Sequence, residues 1–120
     1  MSLILIVDDS PTEARHLADT LTRQGHSVLT ACSGDDGITL ASAEQPDVIL
    51  MDVVMPGKDG FQATREITRG AATRHIPVII VSAKNQAVDE VWGRRQGASF
   101  YLTKPVDGRQ LIAAVNDVLD

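Results

Sequence analysis

Five short apolar runs recur along this 120-residue chain: Leu3–Val7, Val28–Ala31, Val48–Met51, Val78–Val81 and Ser99–Leu102. Three of them are almost unbroken Val, Ile and Leu. Strands that alternate apolar with polar have one wet face, whereas continuous runs of this kind fit parallel strands covered on both faces. Parallel neighbours need a crossover between them, so the intervening segments must supply it.

Those segments carry helix signals. Ser10-Pro11-Thr12-Glu13 reads as a capping box with proline at the first helical position. Ala14, Leu17, Ala18 and Leu21 follow at helical spacing, and Gly25 stops the helix. Ser33 precedes Asp35 and Asp36, which suit the positive end of a helix dipole, and this second helix runs through Ile38 and Ala41. A third starts near Asp59 and uses Phe61, Thr64 and Ile67. Val88, Val91, Trp92 and Arg95 mark a fourth. Asp107 caps a fifth whose Leu111, Ala114, Val115 and Val118 face inward.

Five strand–helix units with right-handed crossovers make an open, doubly wound α/β parallel sheet. With 43% hydrophobic and 22% charged residues, the composition suits one domain over residues 1–120. Ligands of such sheets bind outside the carboxyl ends of the strands. There the sequence places Asp8-Asp9 after the first run, Asp52 after the third, Ser82 after the fourth and Lys104-Pro105 after the fifth. Three carboxylates at one rim repel one another unless a cation joins them. Hard oxygen ligands that leave room for waters point to Mg²⁺, with Mn²⁺ as the alternative.

Ile4-Leu5-Ile6-Val7-Asp8-Asp9-Ser10, the stretch Asp47 to Gly57, Asp59-Gly60, Val81-Ser82-Ala83 and Thr103-Lys104-Pro105 resemble, in order and spacing, the receiver domain of two-component response regulators. The resemblance spans Ile4 to Leu119 and implies a flavodoxin-like fold with strand order 2-1-3-4-5. It implies that Asp52 accepts a phosphoryl group from a histidine kinase or phosphotransfer domain. It further implies that Asp9 and Asp52 bind Mg²⁺ directly, Asp8 through a water, and Val54 through its backbone carbonyl. Lys104, aimed inward by a cis peptide before Pro105, would meet the phosphoryl oxygens, as would the Ser82 hydroxyl and the Ala83 N–H. Tyr101 would fill the space Ser82 vacates, and the readout face would be the fourth helix, fifth strand and fifth helix. Residues Met55–Arg65 and Val91–Ala98 look like the stand-alone receivers of the type IV pilus chemosensory system, which controls twitching motility. The expectation is therefore a signalling switch rather than an enzyme, without an output domain. A phosphate sink or relay intermediate of another chemotaxis-like pathway stands as the alternative.

Other classes fit less well. Mg²⁺-dependent aspartyl-phosphate hydrolases carry a second Asp two residues after the nucleophile, where this chain has Val54. A flavin carrier of this fold class needs a Ser/Thr/Gly-rich phosphate cradle, and carboxylates at positions 8 and 9 would repel its phosphate. A net charge of −5 without a basic stripe speaks against nucleic acid. With no signal-like leader or 18-residue apolar stretch, neither secretion nor a membrane partner is expected, and the lone Cys32 fits a reducing cytoplasm. Cys32 reads as a half-buried hydrophobe, Lys58 as a solvated loop lysine, and His16, His26 and His75 as surface residues. Trp92 reads equally as a helix-packing aromatic or as a partner anchor on the output face.

Overall fold

A computed structural model describes all 120 residues. Five parallel strands, β1 (Leu3–Val7), β2 (Ser27–Ala31), β3 (Val48–Met51), β4 (Val78–Ser82) and β5 (Phe100–Thr103), lie in the order β2-β1-β3-β4-β5. The helices are α1 (Pro11–Thr22), α2 (Gly34–Glu44), α3 (Gly60–Arg69), α4 (Ala87–Arg95) and α5 (Gly108–Leu119). The expected fold class and strand order are those observed. The strand limits differ by a residue: β2 begins at Ser27, β4 reaches Ser82, and β5 runs from Phe100 to Thr103.

Side-chain alternation along each strand sorts the core into two layers. Ile4 and Ile6 of β1, Leu50 of β3 and Ile79 and Val81 of β4 pack against Leu17 and Leu21 of α1 and Leu111 and Val115 of α5. Leu5, Val7, Ile49, Met51 and Val78 face the other way, toward Ala41 of α2 and Ala63 and Ile67 of α3. Each such aliphatic side chain, buried in full, contributes roughly 1.5–3 kcal/mol. β1, β3 and β4 are buried along nearly their whole length, whereas β2 and β5 are partly covered sheet edges.

Helix α4 is seated differently. Its only buried residue is Gly93, and a Cβ there would come 2.9 Å from the Tyr101 ring and 3.0 Å from Ile80. The apolar spacing that marks the inward face of α5 marks the outward face of α4: Val88, Val91 and Trp92 are 66%, 52% and 47% exposed.

Gly60 fixes how α3 leaves the sheet. A Cβ at this position would lie 1.9 Å from the backbone oxygen of Asp52 and 2.8 Å from the Cα of Val53, while its N–H donates to the Val53 carbonyl at 2.9 Å. Backbone atoms cannot move aside as a side-chain tip can. Gly60→Ala is therefore expected to cost at least about 3 kcal/mol of unfolding free energy, read by urea denaturation, at the upper end of overpacking effects. Wild-type stability in that variant would contradict the close approach.

Candidate functional site

The sheet register delivers the polar rim. Val7 pairs with Met51, so the next residues on each strand, Asp8 and Asp52, emerge side by side. Both remain tied to the ladder: Asp8 N–H donates to the Ala31 carbonyl at 3.0 Å and Asp52 N–H to the Val7 carbonyl at 2.9 Å. Two strands away, the Lys104 N–H donates to the Ser82 carbonyl at 2.8 Å, and the Lys104–Pro105 peptide is cis, as expected.

Lys104 turns inward. Its Nζ lies 3.0 Å from Asp8 Oδ2 and 3.6 Å from Asp52 Oδ1, and it donates a closer hydrogen bond to Glu13 Oε2. Burial opposes its charge, yet hydrogen bonds to Glu13 and Asp8 and the field of Asp52 hold the ammonium above the ordinary lysine range. The carboxylates of Asp8, Glu13 and Asp52 lie within 4.8 Å of one another, so three acidic groups face one cation.

Asp52 is buried, and burial is the main reason its carboxyl is pushed up from 3.8 to about 6. Lys104 opposes that rise, Asp8 and Glu13 add to it, and the Val53 N–H, donating to Asp52 Oδ1 at 2.9 Å, counters it. Oδ1 thus faces the ammonium and a backbone N–H. Oδ2 has no partner in the protein and is not enclosed. That oxygen is the accessible nucleophilic atom of the site.

The β4 end adds hydroxyls and a free donor. Ser82 is fully buried, and its Oγ accepts from the Lys84 N–H at 3.1 Å. The Tyr101 hydroxyl donates to the Lys84 carbonyl at 2.8 Å, and burial raises its phenol above the usual range. Ser82 and Tyr101 therefore grip the same peptide segment. The N–H of exposed Ala83 has no acceptor within the protein.

Two further acidic residues divide between solvent and the site. Asp9 is exposed and outside the carboxylate trio, because successive residues of extended chain point in opposite directions and Asp8 takes the inward one. Glu13 takes the vacant place. Ser10 does cap α1 by accepting from the Glu13 N–H at 3.3 Å, but the Glu13 carboxylate binds Lys104 instead of completing the capping box; the Ser10 N–H donates to Asp8 Oδ1 at 2.9 Å. The Val54 side chain is exposed.

Lys58, read as a solvated loop residue, is instead mostly covered. Its Nζ bridges Asp35 of α2 at 3.0 Å and Glu66 of α3, fastening the loop after Asp52 to two helices. Cys32 is exposed, contrary to the half-buried place expected of it, while His16 and His75 are exposed and His26 partly so. Trp92 lines a groove with Phe61 and Arg65 of α3.

An open parallel sheet with paired aspartates and an inward lysine at its carboxyl rim defines a class, and comparison with known proteins agrees. The chain belongs to the response regulator receiver domain family, which matches residues 4–116. It is 59% identical over 119 residues to protein PilH of Pseudomonas aeruginosa, covering 99% of this chain and 98% of that protein. The transcriptional regulatory protein AfsQ1 of Streptomyces coelicolor is 46% identical over 118 residues, and there this chain spans 98% of its own length but 51% of the relative's. Among solved structures, the chemotaxis protein CheY4 of Vibrio cholerae superposes with a TM-score of 0.92 at 28% identity, covering 99% of each chain. No helix is long and apolar enough to cross a membrane.

Proposed function

We propose that this receiver domain is a phosphorylation-dependent switch that takes a phosphoryl group on Asp52 from a histidine kinase or phosphotransfer domain. The observation that carries this reading is the position of Asp52: its Oδ2 is free while Oδ1 is held between the Val53 N–H and the Lys104 ammonium. Attack by Oδ2 on the donor's phosphorus forms an acyl phosphate. The bond from phosphorus to the donor nitrogen breaks with its electron pair, and the departing imidazole takes up a proton. Such a reaction asks the protein for positioning and charge neutralisation more than for covalent chemistry.

The donors present fit Mg²⁺, or Mn²⁺ in its place. Carboxylate oxygens are hard ligands, and three of them converge here on a single ammonium. Asp8, Asp52 and the Val54 carbonyl would hold the ion, with Asp9 joining them on turning from solvent. Bound there, Mg²⁺ would draw charge from the phosphoryl oxygens. Lys104 would then exchange carboxylate partners for phosphoryl oxygens, and the Ala83 N–H would donate to them. Ser82 would release the Lys84 N–H to do the same. Loss of that bond loosens the segment Tyr101 also holds, a local packing change of the kind that biases a two-state element.

The output would be read on the α4-β5-α5 face by a downstream protein. The near-full-length likeness to PilH supports a role in a type IV pilus chemosensory pathway; we infer that the switch works in the cytoplasm and does not catalyse a reaction on a separate substrate. Incubation with acetyl phosphate or a phosphohistidine donor plus Mg²⁺ is expected to add a single phosphoryl group by intact-mass spectrometry. No addition from either donor would overturn the proposal.

A further inference from the structure

A groove of about 620 Å³ runs between α3 and α4. One wall is a stripe of α3, Phe61, Arg65 and Arg69, spaced four residues apart so that they share a face. The facing wall carries Trp92, the chain's one tryptophan, half-exposed.

The groove's charges are not balanced within the fold. Its two carboxylates are already used: Glu66 binds Lys58, and Asp59 caps α3 by accepting from the Gln62 N–H at 2.9 Å. Its two arginines form no ion pair at all. Arg69, in the last turn, gains from the helix dipole; Arg65, in mid-helix, gains nothing from it and repels Arg69 at i, i+4. Seven of the chain's 11 basic residues, but only four of its 16 acidic ones, fall between Lys58 and Arg95. The stretch of sequence that carries both walls of the groove is thus the most basic part of an acidic protein.

We propose that the α3–α4 groove is a docking site for an acidic segment of a partner protein that carries an aromatic or leucine anchor. Arginine presents a planar fork that matches a carboxylate in two hydrogen bonds, and Arg and Trp are the side chains on which interface energy concentrates. A short acidic segment senses only charges within a Debye length, about 8 Å, and so is drawn by the groove; a nucleic acid would also meet the acidic remainder of the surface. Continuity with the phosphorylation site gives the occupant a route to it. Asp59, Phe61 and Trp92 also line a hollow of about 340 Å³ that reaches Val53 and Val54, directly after Asp52. Docking itself needs no phosphoryl group.

Selection from a random-peptide display library on the full-length chain tests this. Enriched sequences should combine clustered Asp or Glu with Trp, Phe or Leu within a helical turn. A synthetic peptide of the enriched sequence should bind at least about tenfold more weakly to Arg65→Glu/Arg69→Glu and to Trp92→Ala, and more weakly as salt rises. Asp52→Asn should bind it as the wild type does, so that failure of docking and failure of phosphorylation are told apart. Circular dichroism of each variant separates lost binding from lost fold. Lack of enrichment overturns the assignment, as do winners without acidic residues or winners indifferent to the two arginines. So does sedimentation showing that a second copy of the chain fills the groove, or single-stranded RNA binding that the charge reversals abolish.

Discussion

Asparagine at position 52 is expected to abolish phosphoryl uptake and, in the same molecule, to make the metal-free protein more stable at neutral pH. The second effect follows from the raised carboxyl. Asp52 titrates near 3.8 when unfolded and at about 6 in the fold, so between those values the unfolded chain has given up a proton that the folded chain keeps. Stability therefore falls as pH rises through this window, and the whole penalty is present above it. A displacement of about two units corresponds to roughly 3 kcal/mol at most. Asparagine carries no titrating proton and escapes the penalty. Urea unfolding in EDTA should show wild type and variant alike below about pH 4, diverging to a plateau beyond pH 6–7, with the variant ahead by up to about 3 kcal/mol. A difference of constant size across pH, or phosphoryl label persisting in the variant, would contradict the assignment of Asp52 as both buried acid and acceptor.

Lys104→Met should act in the opposite direction. Methionine keeps most of the aliphatic stem but withdraws the cation from Asp8, Glu13 and Asp52. Removing one partner of a buried ion pair costs about 3–5 kcal/mol; with Glu13 half in solvent, about 2–3 kcal/mol is expected at pH 7.5. The loss should shrink at pH 5, below the value of about 6 to which Asp52 is raised, and in millimolar Mg²⁺, which would take over the neutralising charge. Adding Asp8→Asn should recover part of it, since the pair is in direct contact. Full stability at pH 7.5 in the single variant would mean that the ammonium does not hold the trio together.

The parts of this structure that the sequence made legible are those where local chemistry and global fold agree. β1, β3 and β4 are continuous apolar runs because both faces are covered. Asp8, Asp52, Ser82 and Lys104 could be placed because a strand end dictates where the next residue goes. Where one local pattern has two outcomes, the sequence leaves the choice open. Ser10-Pro-Thr-Glu13 satisfies a capping box, so nothing local shows that the Glu13 carboxylate is drawn away by a lysine ninety-one positions later. Two adjacent aspartates do not say which of them faces in. Val88, Val91 and Trp92 have the spacing of a core-facing helix, and only the glycine among them, Gly93, reveals that α4 rests on its other side. Nothing beside Lys58 in the sequence marks its partners, Asp35 and Glu66, which lie on two separate helices.

That glycine seat has a dynamic consequence. A helix anchored by leucines must break several kilocalories of packing before it can shift, whereas α4 meets Ile80 and Tyr101 through a residue with no side chain to interlock. Its amide protons should therefore exchange with deuterated solvent well before those of α1 and α5, through openings that leave the rest of the sheet protected. The element standing beside both Tyr101 and the basic groove is thus the one the fold lets go of first.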